Sequence, residues 1–327
     1  MMSTLTNQGL IARVPSHLRV PVLLVLVLLA AVAVRAPRLF TVDGIGGAII
    51  VAVPLMLAAM ALTPIALAGR GGVDLAVGPL IGFINVTMIQ WLVGNDIQSP
   101  IVVIAFMIAV GVAYQVLQAL IIIHVRVSPI IVTLSGYLVL TGLNLVIMPR
   151  PSGVAPEWMA SWGAGTSIFS PVLLLFVVAC VLWYAWKRTV MFTHLRTTGS
   201  DERTAYASGV NVDAVRLTAH VAAGVLAGLA SLAFTALIGS GDPTQGSTYT
   251  LTAVTALVLG GTSLAGGKGG ALGSVLGALN MYLISYVLST FDFGTVSAYV
   301  TQMSYGLLLV ASLVVTIFTG RRAGAAR

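Results

Sequence analysis

The chain has 327 residues, of which 58% are hydrophobic and only 8% are charged, and its mean hydropathy is +1.04. A soluble globular domain carries about 25% charged residues, so this composition excludes a protein that is surrounded by water on all sides. The net charge of +7 does not indicate nucleic-acid binding, because the basic residues are spread between apolar stretches and form no run of five or six.

Ten apolar stretches are candidates for membrane spans, each of which needs about 20 apolar residues in helical form. The first follows Arg13 and Arg19 and resembles a cleavable signal, but the many later stretches favour an uncleaved first helix. The sequence therefore predicts an all-α, polytopic inner-membrane helical bundle of about ten transmembrane helices. The predicted spans lie near residues 20–36, 45–68, 75–93, 100–123, 129–148, 168–186, 216–238, 249–264, 271–289 and 298–319.

The distribution of basic residues predicts the orientation of these spans. Cytoplasmic loops of membrane proteins are enriched in lysine and arginine. With both termini in the cytoplasm, only Arg35, Arg38 and Arg150 of the 16 lysines and arginines fall outside. We therefore expect a cytoplasmic N-terminal segment 1–18, a transmembrane domain 19–320 with a cytoplasmic loop 187–216, and a cytoplasmic tail 321–327.

Two glycine-rich segments, residues 67–83 and 264–279, share a Leu-Ala-Gly start and a cation flanked by glycines. Either an internal duplication or the glycine-rich composition alone accounts for this likeness. The second segment is not a phosphate-binding loop of the form G-x-x-x-x-G-K-[ST], because Thr262 and Gly269 occupy two of its required positions. Glycines in such segments break helices or form smooth stripes for close helix packing. We assign this structural role to Gly71, Gly72, Gly78, Gly260, Gly261, Gly266, Gly267, Gly269, Gly273 and Gly277.

Few polar side chains lie in or beside the predicted spans, and these are candidates for a substrate pathway. Asp74 is the most notable, because ionisable groups beside apolar segments tend to pair or to line pathways. The alternative for Asp74 is a helix cap or an ion pair with Arg70, four residues earlier. Uncharged polar residues, among them Gln115, suit a polyhydroxylated substrate, although each more often makes an interhelical hydrogen bond. The pathway candidates are Asp74, Asn85, Gln90, Asn144, Thr262 and Ser263.

The most polar segment, residues 186–217, predicts one short helix with stop signals at both ends. Ser200 or Asp201 can cap its start, Gly209 can end it, and Asn211 or Asp213 can cap the next helix. About two turns are too short to be stable alone, so the helix either docks on another protein or is a solvated turn. The residues concerned are Ser200, Asp201, Glu202, Arg203, Thr204, Ala205, Tyr206, Ala207, Ser208 and Gly209.

The reactive side chains are scattered. His17, His124, His194, His220 and the single cysteine, Cys180, form no metal-binding or nucleophile pattern in the sequence, and no intrachain disulfide is possible. We therefore expect no catalytic residue, no metal and no cofactor on this chain.

Three segments of the chain resemble the permeases of bacterial ATP-binding-cassette (ABC) sugar importers, and they occur in the same order as in that family. "GGVDLAVG" (71–78) is similar to the family's Gly-Gly-Ile-Asp-Leu-Ser-Val-Gly, and "GGTSLAGGKG" (260–269) to its Gly-Gly-Thr-x-Leu-x-Gly-Gly-x-Gly. "SDERTAYASGVNVDAVRL" between them is similar to its coupling loop. Ala76 and Pro79 stand where the family usually has serine, and Asp74 stands where the amino-acid permeases tend to carry asparagine, which favours a sugar.

This resemblance, over about residues 45–320, implies a permease subunit that works by alternating access in the inner (plasma) membrane. Its implied partners are ABC ATPase subunits that hold ATP and Mg, an extracytoplasmic sugar-binding protein, a second permease copy or sister permease, and the lipid bilayer, but no nucleic acid. The alternatives are an ABC permease for branched-chain amino acids or nucleosides, an ion-coupled secondary transporter, and a membrane-embedded enzyme or scaffold. A secondary carrier has no reason to keep the capped helix at Asp201–Ser208.

Overall fold

The computed structural model describes residues 18–291, 294–296, 299–308 and 310–311. Most of these residues belong to helices, as the composition predicts. A short antiparallel pair of strands, β1 (Ser152–Val154) and β2 (Ser240–Gly241), joins two loops. The α-helices of residues 18–291 are α1 (Arg19–Arg35), α2 (Val42–Leu67), α3 (Val77–Thr87), α4 (Pro100–Leu120), α5 (Pro129–Ile147), α6 (Glu157–Gly163), α7 (Pro171–Lys187), α8 (Val190–Ser200), α9 (Glu202–Ala207), α10 (Val212–Ile238), α11 (Tyr249–Leu259) and α12 (Ala271–Leu288).

Six helical segments of the described residues are long and apolar enough to cross a membrane. Two of them are lengthened by π-helical turns, Met88–Leu92 after α3 and Ile121–Val125 after α4. Helices α7 and α8 add a seventh candidate if they form one span, which is then bent by 80°. The chain is therefore a multi-pass, all-α membrane protein. The six segments are Val42–Leu67, Val77–Asn95, Pro100–Val125, Pro129–Ile147, Val212–Ile238 and Ala271–Leu288.

Three further predicted spans coincide with helices that are shorter than a straight crossing requires. Helices α1 and α7 have 17 residues each and α11 has 11, against about 20 for a span. Helix α11 ends at Leu259, several residues before the predicted end at 264, because the glycine segment that starts with Gly260 interrupts it. Residues 299–308 are helical, and the remainder of the predicted span 298–319 lies largely outside the described residues, as do segment 1–18 and tail 321–327.

Helices α2, α3 and α10 form the centre of the bundle and are largely buried by their neighbours. Helices α4 and α5 lie at the periphery, where large apolar side chains such as Ile101, Leu138 and Val146 point outward. Such exposure is not costly in a bilayer, because lipid tails are as apolar as leucine.

Close packing of α4 and α10 depends on glycines. A Cβ at Gly224 would lie 2.6 Å from Val112 Cα, and one at Gly228 would lie 2.8 Å from Ile108 Cα. These glycines are four residues apart and face the same helix, so they form the kind of smooth stripe that lets two membrane helices approach closely. This close contact holds α4 against the central helix α10.

We predict that Gly224→Ala destabilises the protein by about 1–3 kcal/mol, because a single methyl group would push α4 away from α10. The measurement is thermal unfolding of the purified protein in detergent, together with its elution profile. Gly142→Ala on α5 is the matched control, since a Cβ there meets nothing within 4 Å. Equal melting temperatures for the two variants would contradict the glycine contact.

Candidate functional site

Helix α9 is a separate, capped element of six residues. The Asp201 carboxylate accepts hydrogen bonds from the backbone N–H groups of Arg203 (3.0 Å) and Thr204 (3.2 Å), and from the Thr204 hydroxyl (2.6 Å). These bonds, first of all those from Thr204, hold the pKa of Asp201 below its usual value. Of the two caps that the sequence allows, Asp201 is therefore the one used.

The end of α9 follows the sequence pattern as well. Gly209 has a φ of +83°, and Val210 N donates to Ala205 O over 3.1 Å, which closes the last turn. Asn211 then caps α10, which begins at Val212 and not near residue 216 as predicted. Ala205 lies on the buried side of α9, whereas Tyr206 lies on its outer side and is 75% exposed.

Helix α8 was not predicted, since segment 186–217 indicated only one short helix. Its start is capped by Thr189, whose hydroxyl accepts from Phe192 N. The Phe192 ring packs edge-on against Trp183 and Trp186 of α7, with centroids 5.7 and 5.4 Å away. These aromatic contacts hold α8 at its 80° angle to α7.

The two glycine-rich segments meet at the end of α8, immediately before α9. Gly267 N donates to Leu67 O over 3.1 Å. A Cβ at Gly199 would collide with Leu67 O and lie 2.6 Å from Gly267 N, and one at Gly266 would lie 2.5 Å from Gly69 Cα. We call the contact of Gly69, Gly199, Gly266 and Gly267 the glycine junction. It joins both motif loops to the base of α9.

Glu202, the first residue of α9, makes two ion pairs with other parts of the chain. Its Oε2 lies 2.6 Å from Arg70 Nε in the loop after α2, and 2.7 Å from Arg216 Nη2 on α10. The Arg216 side chain is only 11% exposed, so this pair is partly shielded from water. Arg70 has a φ of +55° between the left-handed Gly69 and Gly71, and this unusual backbone supplies one arm of the contact.

A cleft of about 1250 Å³ lies beside these ion pairs. It opens between α9, the start of α10 and the end of α4, and both signs of charge line it. Glu202 pairs with Arg70 and Arg216. Two other arginines, Arg126 and Arg203, are exposed on the rim of the cleft. The surface around Tyr206 is therefore both polar and accessible.

Asp74 is buried in the loop between α2 and α3 and does not pair with Arg70. Its Oδ1 accepts from Ala76 N over 2.8 Å, and its Oδ2 accepts from Gln115 Nε2 on α4. Burial raises the pKa of Asp74 to about 6, although both hydrogen bonds act in the opposite direction. The ion pair with Arg70 that the sequence allowed is wrong, because the left-handed turn at residues 69–71 abolishes helical spacing.

Gln115 extends this contact to α10. Its Oε1 lies 2.7 Å from His220 Nδ1, and an amide oxygen can only accept, so Nδ1 carries the hydrogen. Asp74, Gln115 and His220 thus form a buried chain in which every bond has a defined direction. The sequence indicated the polar character of Gln115 and His220, but not that Gln115 bonds to Asp74 and His220 bonds to Gln115.

The six pathway candidates do not converge on one place. Asn85 is buried and donates to Thr235 Oγ1 and to Ser240 O, while its Oδ1 accepts from Asp242 N. Gln90 is exposed in the π-helical turn after α3. Thr262 and Ser263 lie in the motif loop near the glycine junction, where each accepts a backbone N–H.

Asn144 differs from the other candidates because half of its amide is unused. Its Nδ2 donates to Pro79 O over 3.1 Å, but its buried Oδ1 has no hydrogen-bond partner among the described residues. A Cβ at Gly82 would lie 3.0 Å from Asn144 Nδ2 and 3.7 Å from Gly246 Cα. Asn144 is therefore the buried pathway candidate whose side-chain oxygen has no partner among the described residues.

The glycines singled out in the sequence fall into two groups. Half of the ten lie in turns with positive φ, and Gly269 is one of these, since it precedes α12, which begins only at Ala271. The other five are points of close backbone contact, as at Gly273 with Gly260 and at Gly277 with Ala256. The turn group comprises Gly71, Gly261, Gly266, Gly267 and Gly269, and the contact group comprises Gly72, Gly78, Gly260, Gly273 and Gly277.

Within the part of the chain that the structure describes, no group of three or more histidine, cysteine or acidic side chains could hold a metal ion. The polar groups around α9 and Asp74 are arranged for hydrogen bonds and ion pairs. These contacts hold α9, the loop after α2, α4 and α10 together.

Comparison with known protein families defines the class of this chain. Residues 44–314 match the family described as the branched-chain amino acid transport system permease component. The chain belongs to this family of permease components, and it is a multi-pass inner-membrane protein.

Three curated relatives show which individual permeases the chain is similar to. The ribose import permease protein of Escherichia coli K12 is 28% identical over 297 residues, which cover 89% of this chain and 90% of the relative. The fructose import permease protein of Rhizobium meliloti is 27% identical over 75% of this chain and 70% of its own length. The D-allose transport system permease protein of Escherichia coli K12 is 29% identical over 74% of each chain. No solved structure matches the chain.

We predict that Asp201→Ala frees the amides of Arg203 and Thr204, whereas Asp201→Asn keeps them protected, since asparagine also caps helices. Hydrogen exchange at residues 202–207 of the full-length protein measures this. Because the folded pKa is lowered, the capping contribution is complete above about pH 4 and is lost as the pH falls through that lowered value. Identical exchange in both variants at neutral pH would refute the cap.

We predict that Asp74→Ala lowers the free energy of unfolding by about 1–3 kcal/mol, because two buried donors lose their acceptor. Thermal unfolding in detergent measures the loss. Asp213→Ala, an exposed acid at the start of α10, is the control and should change stability by less than about 0.5 kcal/mol. A wild-type melting temperature for Asp74→Ala would show that the buried chain adds nothing.

Proposed function

We propose that this chain is the transmembrane permease subunit of an ATP-driven ABC importer for a monosaccharide or related polyol. The observation that carries the proposal is the similarity, over most of the chain, to import permeases named for ribose, fructose and allose. An extracytoplasmic binding protein delivers the sugar, and the permease moves it by alternating access.

Energy reaches the permease through α9, which acts as the coupling helix. A helix of six residues that is capped at both ends, buried on one side at Ala205 and exposed at Tyr206 is suited to docking on another protein. We infer that this partner is an ABC ATPase subunit, that ATP and Mg lie on the ATPase, and that this chain hydrolyses nothing. The proposed contact residues are Ser200 to Gly209.

The membrane arrangement that fits this function has about ten spans with both termini in the cytoplasm. Most lysines and arginines, including those around α9, then lie on the cytoplasmic side. A second copy or a sister permease completes the pathway. Asn144 and Gln90 are the candidates for contact with sugar hydroxyls.

Two other classes of function remain as alternatives, an ABC permease for another cargo and an ion-coupled carrier. The description of the matching family favours branched-chain amino acids, and nucleosides are a further cargo for the same fold. The polar side chains of this chain favour the sugar, because Asp74 is an acid where amino-acid permeases tend to carry asparagine. An ion-coupled carrier gives no reason for α9.

The proposal is tested by reconstituting the chain with its ATPase and binding protein and measuring uptake of ribose, fructose, allose, leucine and uridine. We expect ATP-dependent uptake of a sugar and none of leucine. Uptake of leucine or uridine alone would replace the sugar assignment.

We predict that replacing residues 201–208 by a Gly/Ser linker of equal length abolishes ATP-dependent uptake and co-purification with the ATPase. Membrane insertion stays normal, because the spans do not depend on α9. The control replaces three exposed residues of the loop between α6 and α7, Ala164–Thr166, by Gly/Ser. Normal uptake by the α9 replacement would remove the coupling role.

A further inference from the structure

The ion pairs of Glu202 and the buried chain of Asp74 are joined by the backbone at two places, which closes them into one circuit. Arg70 and Asp74 lie four residues apart in the same loop, and Arg216 and His220 lie one turn apart on α10. The circuit therefore runs from Glu202 to Arg70, along the loop to Asp74, through Gln115 to His220, and down α10 to Arg216 and Glu202. We call these six residues the polar ring.

We propose that the polar ring transmits the movement of α9 to the α2–α3 loop and to α4, so that Glu202, Gln115 and His220 are positioning residues for transport. This inference rests on the proposed function. The ring touches each element that a moving α9 must displace: the first motif loop through Arg70, α10 through Arg216, and α4 through Gln115.

The energetics of the ring make it suited to switching. One carboxylate of Glu202 faces two guanidinium groups, so a small shift of α9 that favours one arginine weakens the other contact. At the other end, Gln115 uses its amide nitrogen for Asp74 and its amide oxygen for His220. A rotation of Gln115 that breaks one of these bonds leaves a buried polar group unpaired, which is costly. The hydrogen-bonded residues Asp74, Gln115 and His220 therefore have few intermediate arrangements.

Two observations separate the ring from ordinary helix packing. Arg70 holds a φ of +55°, an unfavourable conformation that persists only where surrounding contacts impose it. The Asp74 side chain is buried with neutral partners, although a neutral residue there would cost less. Both features are explained if the loop of residues 70–74 is held at each end by a contact that matters for movement.

The first test uses hydrogen exchange of the full-length protein in lipid nanodiscs and needs no transport. His220 is on α10 and does not contact α9, yet the ring predicts that the amides of α9, residues 202–207, exchange roughly tenfold faster in His220→Leu than in the wild type. Conversely, Glu202→Gln is expected to speed exchange at residues 72–76. His220→Asn, which keeps a donor near the Nδ1 position, is expected to restore wild-type exchange.

The matched control for His220→Leu is His124→Leu, an exposed histidine in the π-helical turn after α4. Exchange in α12, which is not in the ring, reports global destabilisation. Unchanged exchange of α9 in His220→Leu, or equal acceleration in α9 and α12, overturns the proposal. If His220→Leu does not fold, Gln115→Asn replaces it, because the shorter amide cannot span from Asp74 to His220.

The second test measures solute moved per ATP hydrolysed in the reconstituted complex, using the transported sugar of the panel as the probe. Glu202→Gln and His220→Leu are each expected to lower this ratio roughly fivefold, and the double variant to lower it by a similar factor. Independent roles instead predict roughly 25-fold for the double variant. Glu157→Gln with His124→Leu is the control pair and leaves the ratio unchanged.

The outcomes distinguish the ring from the function on which it rests. If the wild-type complex moves no sugar, the proposed function fails, and the exchange experiment still decides whether the ring exists. If the wild type transports and the two variants act independently or like the control pair, the function stands and the ring is wrong.

Discussion

The glycine junction is the constraint on which the rest of the structure depends. In a bilayer no hydrophobic force drives helices together, so close contact between backbones has to supply the attraction. At Gly69, Gly199 and Gly266 three chain segments approach to distances that no side chain permits. The junction sets where α8 ends, and therefore where Asp201 can cap α9 and where Glu202 can reach Arg70 and Arg216. The two glycine-rich segments are separated by almost 200 residues of sequence, and they meet at this contact.

Polar groups in the core extend this mechanical arrangement into the bundle. A buried acid such as Asp74 is costly, and its cost is offset by donors from two sides. Gln115 then carries the contact to His220, one turn from the residue that pairs with Glu202. Glu202 of α9 and the buried Asp74 are thus linked through an ion pair, one turn of α10 and two hydrogen bonds.

Local patterns in the sequence predicted local structure well. The caps of α9 and α10, the break at Gly209 and the approximate positions of most apolar helices follow from residue type and spacing, although α10 begins earlier and α11 ends earlier than predicted. Helix α8 was missed because its stability comes from contacts of Phe192 with Trp183 and Trp186 and not from its own polar sequence. The partner of Arg70 was misassigned because an i, i+4 rule assumes a helix, and positive φ at residues 69–71 removes it. Long-range partners such as Gln115 and His220 cannot be read from spacing, since only the packing of α4 on α10 brings them together.

The central claim is that this chain conducts sugar but takes its energy from another protein through α9. Accumulation of sugar against a gradient in proteoliposomes, with and without the ATPase subunit, tests it most directly. The account predicts uphill uptake only when the ATPase, ATP and the binding protein are all present. Uphill accumulation by this chain alone, driven by an ion gradient, would contradict it.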